Sequence, residues 1–326
     1  MICFYEDNTH RADLRKLEKL LFRGSAILRL MSGKEFFVDR YRQLGWDFDD
    51  VQPKQAIRIN ITNVKEKNLL ERLQAMNIQL EQIPFLETGY WIYNSQVSLG
   101  ATAEYLLGGY SIQEAAAQIP ATLFAKLKDK MVLDACAAPG GKTVQLADLM
   151  KNTGVLMALD VKKRRLRALA NNLERCHIRN TVVYGIDARQ VSQFKLKFDR
   201  ILVDAPCSGN FAADPNWFKR RTLKDVERNA RLQREILAEV AACLKDDGEL
   251  VYSTCSLEPE ENEANMDWAV KHLNLRIEEI DCYGRKGLTE VFGRRLDMSV
   301  ERCRRIWPAE TQGFFVCKLK NGGEKH

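Results

Sequence analysis

Several features are scarce in this chain of 326 residues, and each scarcity excludes a class of protein. No run of about 18 apolar residues occurs, so no segment reads as a membrane-spanning helix. The opening Met1-Ile2-Cys3-Phe4-Tyr5 runs straight into charged residues, without the apolar stretch of a secretory signal. Both features predict a cytoplasmic protein without a membrane partner. Only four histidines are present, with no His-x-x-x-His pair, and the nine cysteines include no Cys-x-x-Cys pair. No metal site is therefore expected. An odd number of cysteines in a cytoplasmic chain argues for reduced thiols, most of them small buried hydrophobes. Internal repeats and low-complexity tracts are missing as well.

The remaining composition, 45% hydrophobic and 29% charged, is that of an ordinary globular chain long enough for two domains. The formal net charge is +6. Basic residues gather in three places: Lys162, Lys163, Arg164, Arg165 and Arg167; Lys219, Arg220 and Arg221; and Arg294, Arg295, Arg302, Arg304 and Arg305. One such group is ordinarily a solvated face, whereas three in one chain favour a polyanionic partner.

Residues 11 to 41 read as helix, with Leu14, Leu17, Leu20 and Leu21 at helical spacing. Trp46 to Pro53 reads as a linker. Ala56 to Ile61 and Gly89 to Tyr93 then read as strands around a helix from Lys65 to Met76. We expect an N-terminal helical segment over 1–50 and a small α/β, RRM-like domain over 51–107. From residue 108 onward apolar strands alternate with helices: Met131 to Ala135, Val155 to Asp160, Val182 to Gly185, Arg200 to Asp204 and Glu249 to Ser253. That alternation predicts a Rossmann-like, mostly parallel sheet with helices on both faces, occupying 108–326. Phe314 to Leu319 is expected to add an antiparallel edge strand.

The stretch that organises the chain is Val132-Leu133-Asp134-Ala135-Cys136-Ala137-Ala138-Pro139-Gly140-Gly141-Lys142-Thr143. A strand running into a glycine turn and then a helix suits a nucleotide-like ligand. Gly141-Lys142-Thr143 also looks like the end of a P-loop, and Ile201-Leu202-Val203-Asp204 like a strand closing on a magnesium ligand. A P-loop, however, needs glycine where Cys136 stands, and Pro139 removes an N–H from the turn.

Acids and thiols recur at predicted strand ends, where ligands bind in such sheets. Asp160 is placed to hold ribose hydroxyls and Asp187 to accept from an adenine amino group; each alone reads equally as a helix cap. Asp204-Ala205-Pro206-Cys207-Ser208-Gly209 sets a carboxylate beside a thiol. A second thiol, Cys255, lies in Tyr252-Ser253-Thr254-Cys255-Ser256, before an acidic helix start. Two thiols in such turns read as chosen for reactivity.

These three motifs, together with Pro259-Glu260-Glu261-Asn262-Glu263, Ile57-Arg58-Ile59-Asn60, Gly109-Tyr110-Ser111-Ile112-Gln113-Glu114, Arg305-Ile306-Trp307-Pro308 and Gly313-Phe314-Phe315, resemble the Nop/Sun (RsmB-like) RNA cytosine-5 methyltransferases over residues 36 to 320. The compact length is most similar to archaeal members acting on tRNA. The resemblance implies a class I methyltransferase sheet and S-adenosylmethionine, bound by Cys136, Ala137, Ala138, Pro139, Gly140, Gly141 and Lys142 with Asp160, Arg165, Asp187 and Asp204. It implies Cys255 as nucleophile and Cys207 as the residue that helps release product. The chemistry gives independent reason for two thiols, because carbon-5 of cytosine is a poor nucleophile until something adds to carbon-6. Asp204 is then expected beside the ring. Lys142 either neutralises Asp204 or lies near the reacting base. The expected partner is RNA, tRNA before rRNA, on a monomer, with Arg58 and Asn60 on phosphates; Trp217 or Tyr110 could stack on a base, but core packing is the role expected of either. A P-loop-type NTPase and an inactive RNA-binding relative are the alternatives. One departure from the family pattern is the stretch Asn210-Phe211-Ala212-Ala213-Asp214-Pro215-Asn216-Trp217, and another is Ala309 where a histidine commonly follows the proline.

Overall fold

The computed structural model describes residues 33–322. Most of the expected N-terminal helix lies outside them. Its last part is α1 (Lys34–Gln43), which buries Phe37, Val38 and Tyr41 on one face and ends at Leu44, ahead of the expected linker.

The small domain is an antiparallel sheet of β1 (Ala56–Ile59), β2 (Gln79–Gln82), β3 (Gly89–Asn94) and β4 (Tyr110–Ile112), in the order β2-β3-β1-β4, with α2 (Glu66–Ala75) packed on it. The fourth strand lies beyond the expected boundary at residue 107. Side chains alternate across a strand, and β1 uses both faces. Ile57 and Ile59 enter a core with Leu69, Leu73, Ile78 and Tyr110, while Ala56 joins the core of the catalytic domain. Arg58 turns the same way and pairs with Asp148 at 3.4 Å.

The large sheet has nine strands. Those of its parallel half are β5 (Met131–Asp134), β6 (Val155–Leu159), β7 (Thr181–Tyr184), β8 (Phe198–Asp204) and β9 (Leu244–Thr254). Helices α3 (Gly141–Leu149), α4 (Lys163–Arg175) and α5 (Leu223–Ala242) connect them, and α6 (Glu263–His272) follows β9. Beyond come β10 (Leu275–Glu278), β11 (Arg285–Lys286), β12 (Arg304–Ile306) and β13 (Phe314–Asn321), giving the order β11-β12-β13-β9-β8-β5-β6-β7. The antiparallel pairing of β13 with β9 agrees with expectation, but β13 is not an edge. Its other side pairs with β12 at one end and β10 at the other. Its burial explains the difference: Phe314, Phe315, Val316, Cys317 and Leu319 are all inside, as befits a strand covered on both sides.

Candidate active site

The carboxyl ends of β5, β6, β8 and β9 converge on one region. At the end of β5 the chain turns through Gly140, whose φ of 111° lies in the left-handed region. A Cβ there would also stand 2.9 Å from Leu169 Cδ1, so glycine is required twice over. The Thr143 hydroxyl donates to Asp134 Oδ2 at 2.7 Å and reaches the Ala137 carbonyl at 3.3 Å, pinning the turn to the strand. Asp134 is 1% exposed, and burial pushes its carboxyl up to about 7. Its Oδ1 is buried without a protein partner. Burial likewise pushes the neighbouring Cys136 thiol well up.

Asp160, just past β6, accepts from the Lys162 N–H at 3.0 Å and pairs with Arg165 at 3.3 Å. Arg165 also donates to the Ala138 carbonyl, so Asp160, Arg165 and the glycine turn meet in one place. Asp187 caps the turn Ala188–Phe194 by accepting from the Arg189 N–H at 2.9 Å. Its carboxylate pairs with the Arg189 guanidinium at 2.8 Å, which holds its pKa below the usual range. These residues fit an adenosyl cofactor with an amino-acid tail. The turn lacks a Cβ where backbone must approach, and a buried carboxylate oxygen there lacks a partner.

At the ends of β8 and β9, Asp204 accepts from Lys142 Nζ at 2.8 Å on one oxygen and from the Ser253 hydroxyl at 2.8 Å on the other. Lys142 therefore neutralises Asp204, and its ammonium also lies 5.3 Å from the Phe314 ring centroid. Cys207 Sγ and Cys255 Sγ are 3.3 Å apart. The hydrogen bond between them splits the pair: it holds Cys255 below the usual thiol range and lifts Cys207 well above it. Lys142 favours the Cys255 thiolate, while burial and the nearby Glu261 charge disfavour ionisation of Cys207.

The loop carrying Cys207 is held from several sides. Glu261 accepts from the Ser208 N–H at 3.0 Å and from its hydroxyl at 2.7 Å. Trp217 Nε1 and Arg221 Nε both donate to the Ser208 carbonyl, at 2.8 and 3.0 Å. Asn210 donates to the carbonyls of Cys255 and Gly313, at 2.7 and 3.0 Å. The first residue of the divergent loop thus bridges both thiol segments.

Some expectations need correction. Arg58 and Asn60 are each 1% exposed and do not face a phosphate. Arg58 bonds Gln113 and Asp148, and Asn60 donates to the Gly108 carbonyl and reaches Cys176 Sγ at 3.5 Å, so both join the two domains. Trp217 and Tyr110, by contrast, are buried in the core, the role expected of them ahead of stacking. Arg305 leaves the basic surface, because it is buried in a pair with Glu263. The acidic run before α6 is also interior: Glu258, Glu261, Asn262 and Glu263 are inaccessible to solvent. Sequence reasoning missed Asp134 and Glu261 as members of the site. Their signal was available in the unusual company each keeps, a carboxylate on an apolar strand and one shortly after a thiol turn and a proline.

The family described as 16S rRNA methyltransferase RsmB/F matches residues 121–320, and the N-terminal domain of 16S rRNA methyltransferase RsmF matches residues 34–115. A human relative, 28S rRNA (cytosine(4447)-C(5))-methyltransferase, is 37% identical over 83% of this chain and 35% of its own. Ribosomal RNA small subunit methyltransferase F of Aeromonas salmonicida is 34% identical over 82% of this chain and 57% of its own. The chain thus spans between about a third and three-fifths of the length of these curated relatives. A solved methyltransferase homolog protein from Pyrococcus horikoshii is 34% identical, with a TM-score of 0.81 over 90% of this chain and 97% of that one. With the catalytic and N-terminal matches falling in order on the two domains seen here, the chain belongs to the RsmB/F methyltransferase family, the Nop/Sun group its motifs resemble.

Proposed function

We propose that this chain methylates carbon-5 of a cytosine in RNA with S-adenosylmethionine as donor. The observation that carries the reading is the Cys207–Cys255 contact of 3.3 Å beside the Lys142–Asp204 pair, at the carboxyl ends of adjacent strands. Residues Asp134 to Lys142, with Asp160, Arg165 and Asp187, would hold the cofactor, which supplies an electrophilic methyl group when bound.

Cys255, held toward thiolate, adds its sulfur to carbon-6, and the ring electrons move so that carbon-5 becomes nucleophilic. Asp204 would orient the cytosine edge, with Lys142 paired to its carboxylate at 2.8 Å. Once carbon-5 carries the new methyl group, its proton must leave and the carbon–sulfur bond must break. Cys207 shares a hydrogen bond with the departing sulfur and serves as the proton-exchanging group there. A paired target base would first have to leave its stack.

Ribosomal RNA is supported by the names of the relatives, and tRNA is the other substrate to be compared. The test is transfer of labelled methyl into unmodified rRNA and tRNA transcripts. Cys255→Ala should lose transfer by at least about a thousandfold, as expected for a lost nucleophile. Cys207→Ala should accumulate a denaturant-resistant RNA adduct. Full activity in Cys255→Ala sinks the assignment.

A further inference from the structure

Two cavities flank the divergent loop, and neither takes part in the chemistry above. One, of about 630 Å³, is bordered by Phe211, Phe218, Lys34, Lys219 and Arg221. The Phe211 and Phe218 rings stack at 5.3 Å and 13° along its wall. The other, of about 790 Å³, has a mixed lining in which Val97, Leu99, Ile112, Lys54 and Glu114 stand beside the amides and hydroxyls of residues such as Gln52, Gln55, Ser95, Ser98 and Gln312. The cavities share Gln52 and Ala212 as lining residues, so they adjoin across that loop as the two halves of a groove.

Both walls are tied to the catalytic thiols. Arg221 holds the Ser208 carbonyl, next to Cys207. Asn210, which precedes Phe211, holds the Cys255 carbonyl and also that of Gly313, the residue after Gln312. The groove therefore borders the loop that carries Cys207 and reaches both thiol segments through these hydrogen bonds.

We infer that this groove takes the single-stranded RNA that flanks the target cytosine, an inference that rests on the proposed methylation of RNA. The two halves divide the work by chemistry. The first offers cations to phosphate and the half-buried Phe218 ring to a base face; the second offers amides and hydroxyls to base edges. Asp50 is the acidic residue on the first half, against the three cations Lys34, Lys219 and Arg221. Lys34 and Lys219 are exposed and carry the electrostatic share without supporting the thiol loop. The second half sets sequence preference through groups such as Gln52 and Gln312.

The test measures RNA binding rather than methylation, so the two readings fail separately. A labelled single-stranded oligoribonucleotide carrying one cytosine is titrated into the full chain over a range of salt. Lys34→Glu/Lys219→Glu should weaken binding at least tenfold at low salt. It should flatten the slope of log K against log salt by about 1.4, at roughly 0.7 for each phosphate of a single strand that is no longer neutralised. Lys151→Glu/Lys195→Glu, at the opposite end of the parallel strands, should leave both unchanged. A 4-thiouridine next to the cytosine should crosslink to the peptide containing residues 211–221. Equal binding by both double variants, or crosslinks confined elsewhere, would overturn the inference. A wild-type chain that binds no RNA would overturn the reading beneath it.

Discussion

Cys207 and Cys255 are chemically identical, and only their neighbours make them unequal. The 3.3 Å contact between them favours the thiolate of Cys255 and the thiol of Cys207, and Cys255 alone feels the field of Lys142, while Glu261 opposes ionisation of both. In Lys142→Met, Cys255 is left without that cation and beside an unneutralised Asp204. The pH midpoint for alkylation of Cys255, read by mass spectrometry, should therefore move upward; an unmoved midpoint removes Lys142 from the account. Asp134 and Glu261 pose a different problem, since burial lifts both carboxyls to about 7 from ordinary values of 3.8 and 4.5. An acid with a raised folded pKa binds its proton more tightly in the fold than in the unfolded chain. Its contribution is complete below the ordinary value and is lost as pH climbs through about 7. At about 1.4 kcal/mol per unit, the loss is on the order of 3–5 kcal/mol for each group. Asp134→Asn/Glu261→Gln should lose less stability than wild type between pH 5 and pH 8 in denaturant titrations. Parallel curves for the two proteins would show that neither group ionises in that window.

Helix α1 shows how an element outside the methyltransferase sheet supports the thiol loop. Phe37 packs edge-on against Trp217 at 4.6 Å, and Trp217 in turn holds the Ser208 carbonyl. Arg40 forks onto Glu258 and Glu260, at 2.9 and 2.7 Å, a few residues after Cys255. Removing one partner of a buried pair costs about 3–5 kcal/mol, because the other charge is stranded. Arg40→Ala should thus destabilise strongly and slow catalysis, and Arg40→Ala/Glu258→Gln should recover part of the stability in denaturant melts. If the double variant is as unstable as the single, Glu258 is not what Arg40 neutralises. None of this could be read from the sequence, where Arg40 looks like one more charge on a helix face. Strands β5, β6, β8 and β9 were legible because burial on both faces makes them continuous apolar runs. Strand β2 was not, since Gln79, Glu81 and Gln82 lie on an exposed edge. The site followed the same division. Asp160, Asp204, Cys207 and Cys255 stand at strand ends and could be named, whereas the interior of the acidic run before α6 looked like solvated surface. Burial of a charge depends on what packs against it, and that partner is often far away in the chain.

At the scale of the whole molecule, the small domain is joined to the large one through a shared apolar core, in which Ile83, Leu86 and Trp91 are buried with Phe124, Leu146 and Ile306, and through a set of polar groups beside it. Asp148, at the end of α3, receives the Arg58 guanidinium and the N–H groups of Ile61 and Thr62, at 3.1 and 2.9 Å. Arg175, at the end of α4, donates to the carbonyls of Tyr105 and Tyr110, and its guanidinium lies 4.0 Å from the Tyr105 ring centroid. Asn63 reaches the Cys176 carbonyl at 2.9 Å. Hydrogen bonds are directional, so this seam fixes the orientation of the small sheet more sharply than an apolar contact would. The groove beside the thiols has linker and small-domain residues on one wall and catalytic-domain residues on the other, so its width follows from that orientation. Asp148→Asn keeps the shape of the seam and removes its anion, stranding Arg58, whose pKa burial already lowers to about 10. The expected cost is again about 3–5 kcal/mol, with amides of β1 to β4 exchanging faster than those of β5 to β9. Faster exchange spread equally over both sheets would mean that the domains open as one unit. Unchanged exchange in β1 to β4 would mean that the orientation is set without Asp148. Where exchange rises in the small sheet alone, affinity for single-stranded RNA should fall with it, because a loosened seam no longer holds the two walls of the groove at one spacing.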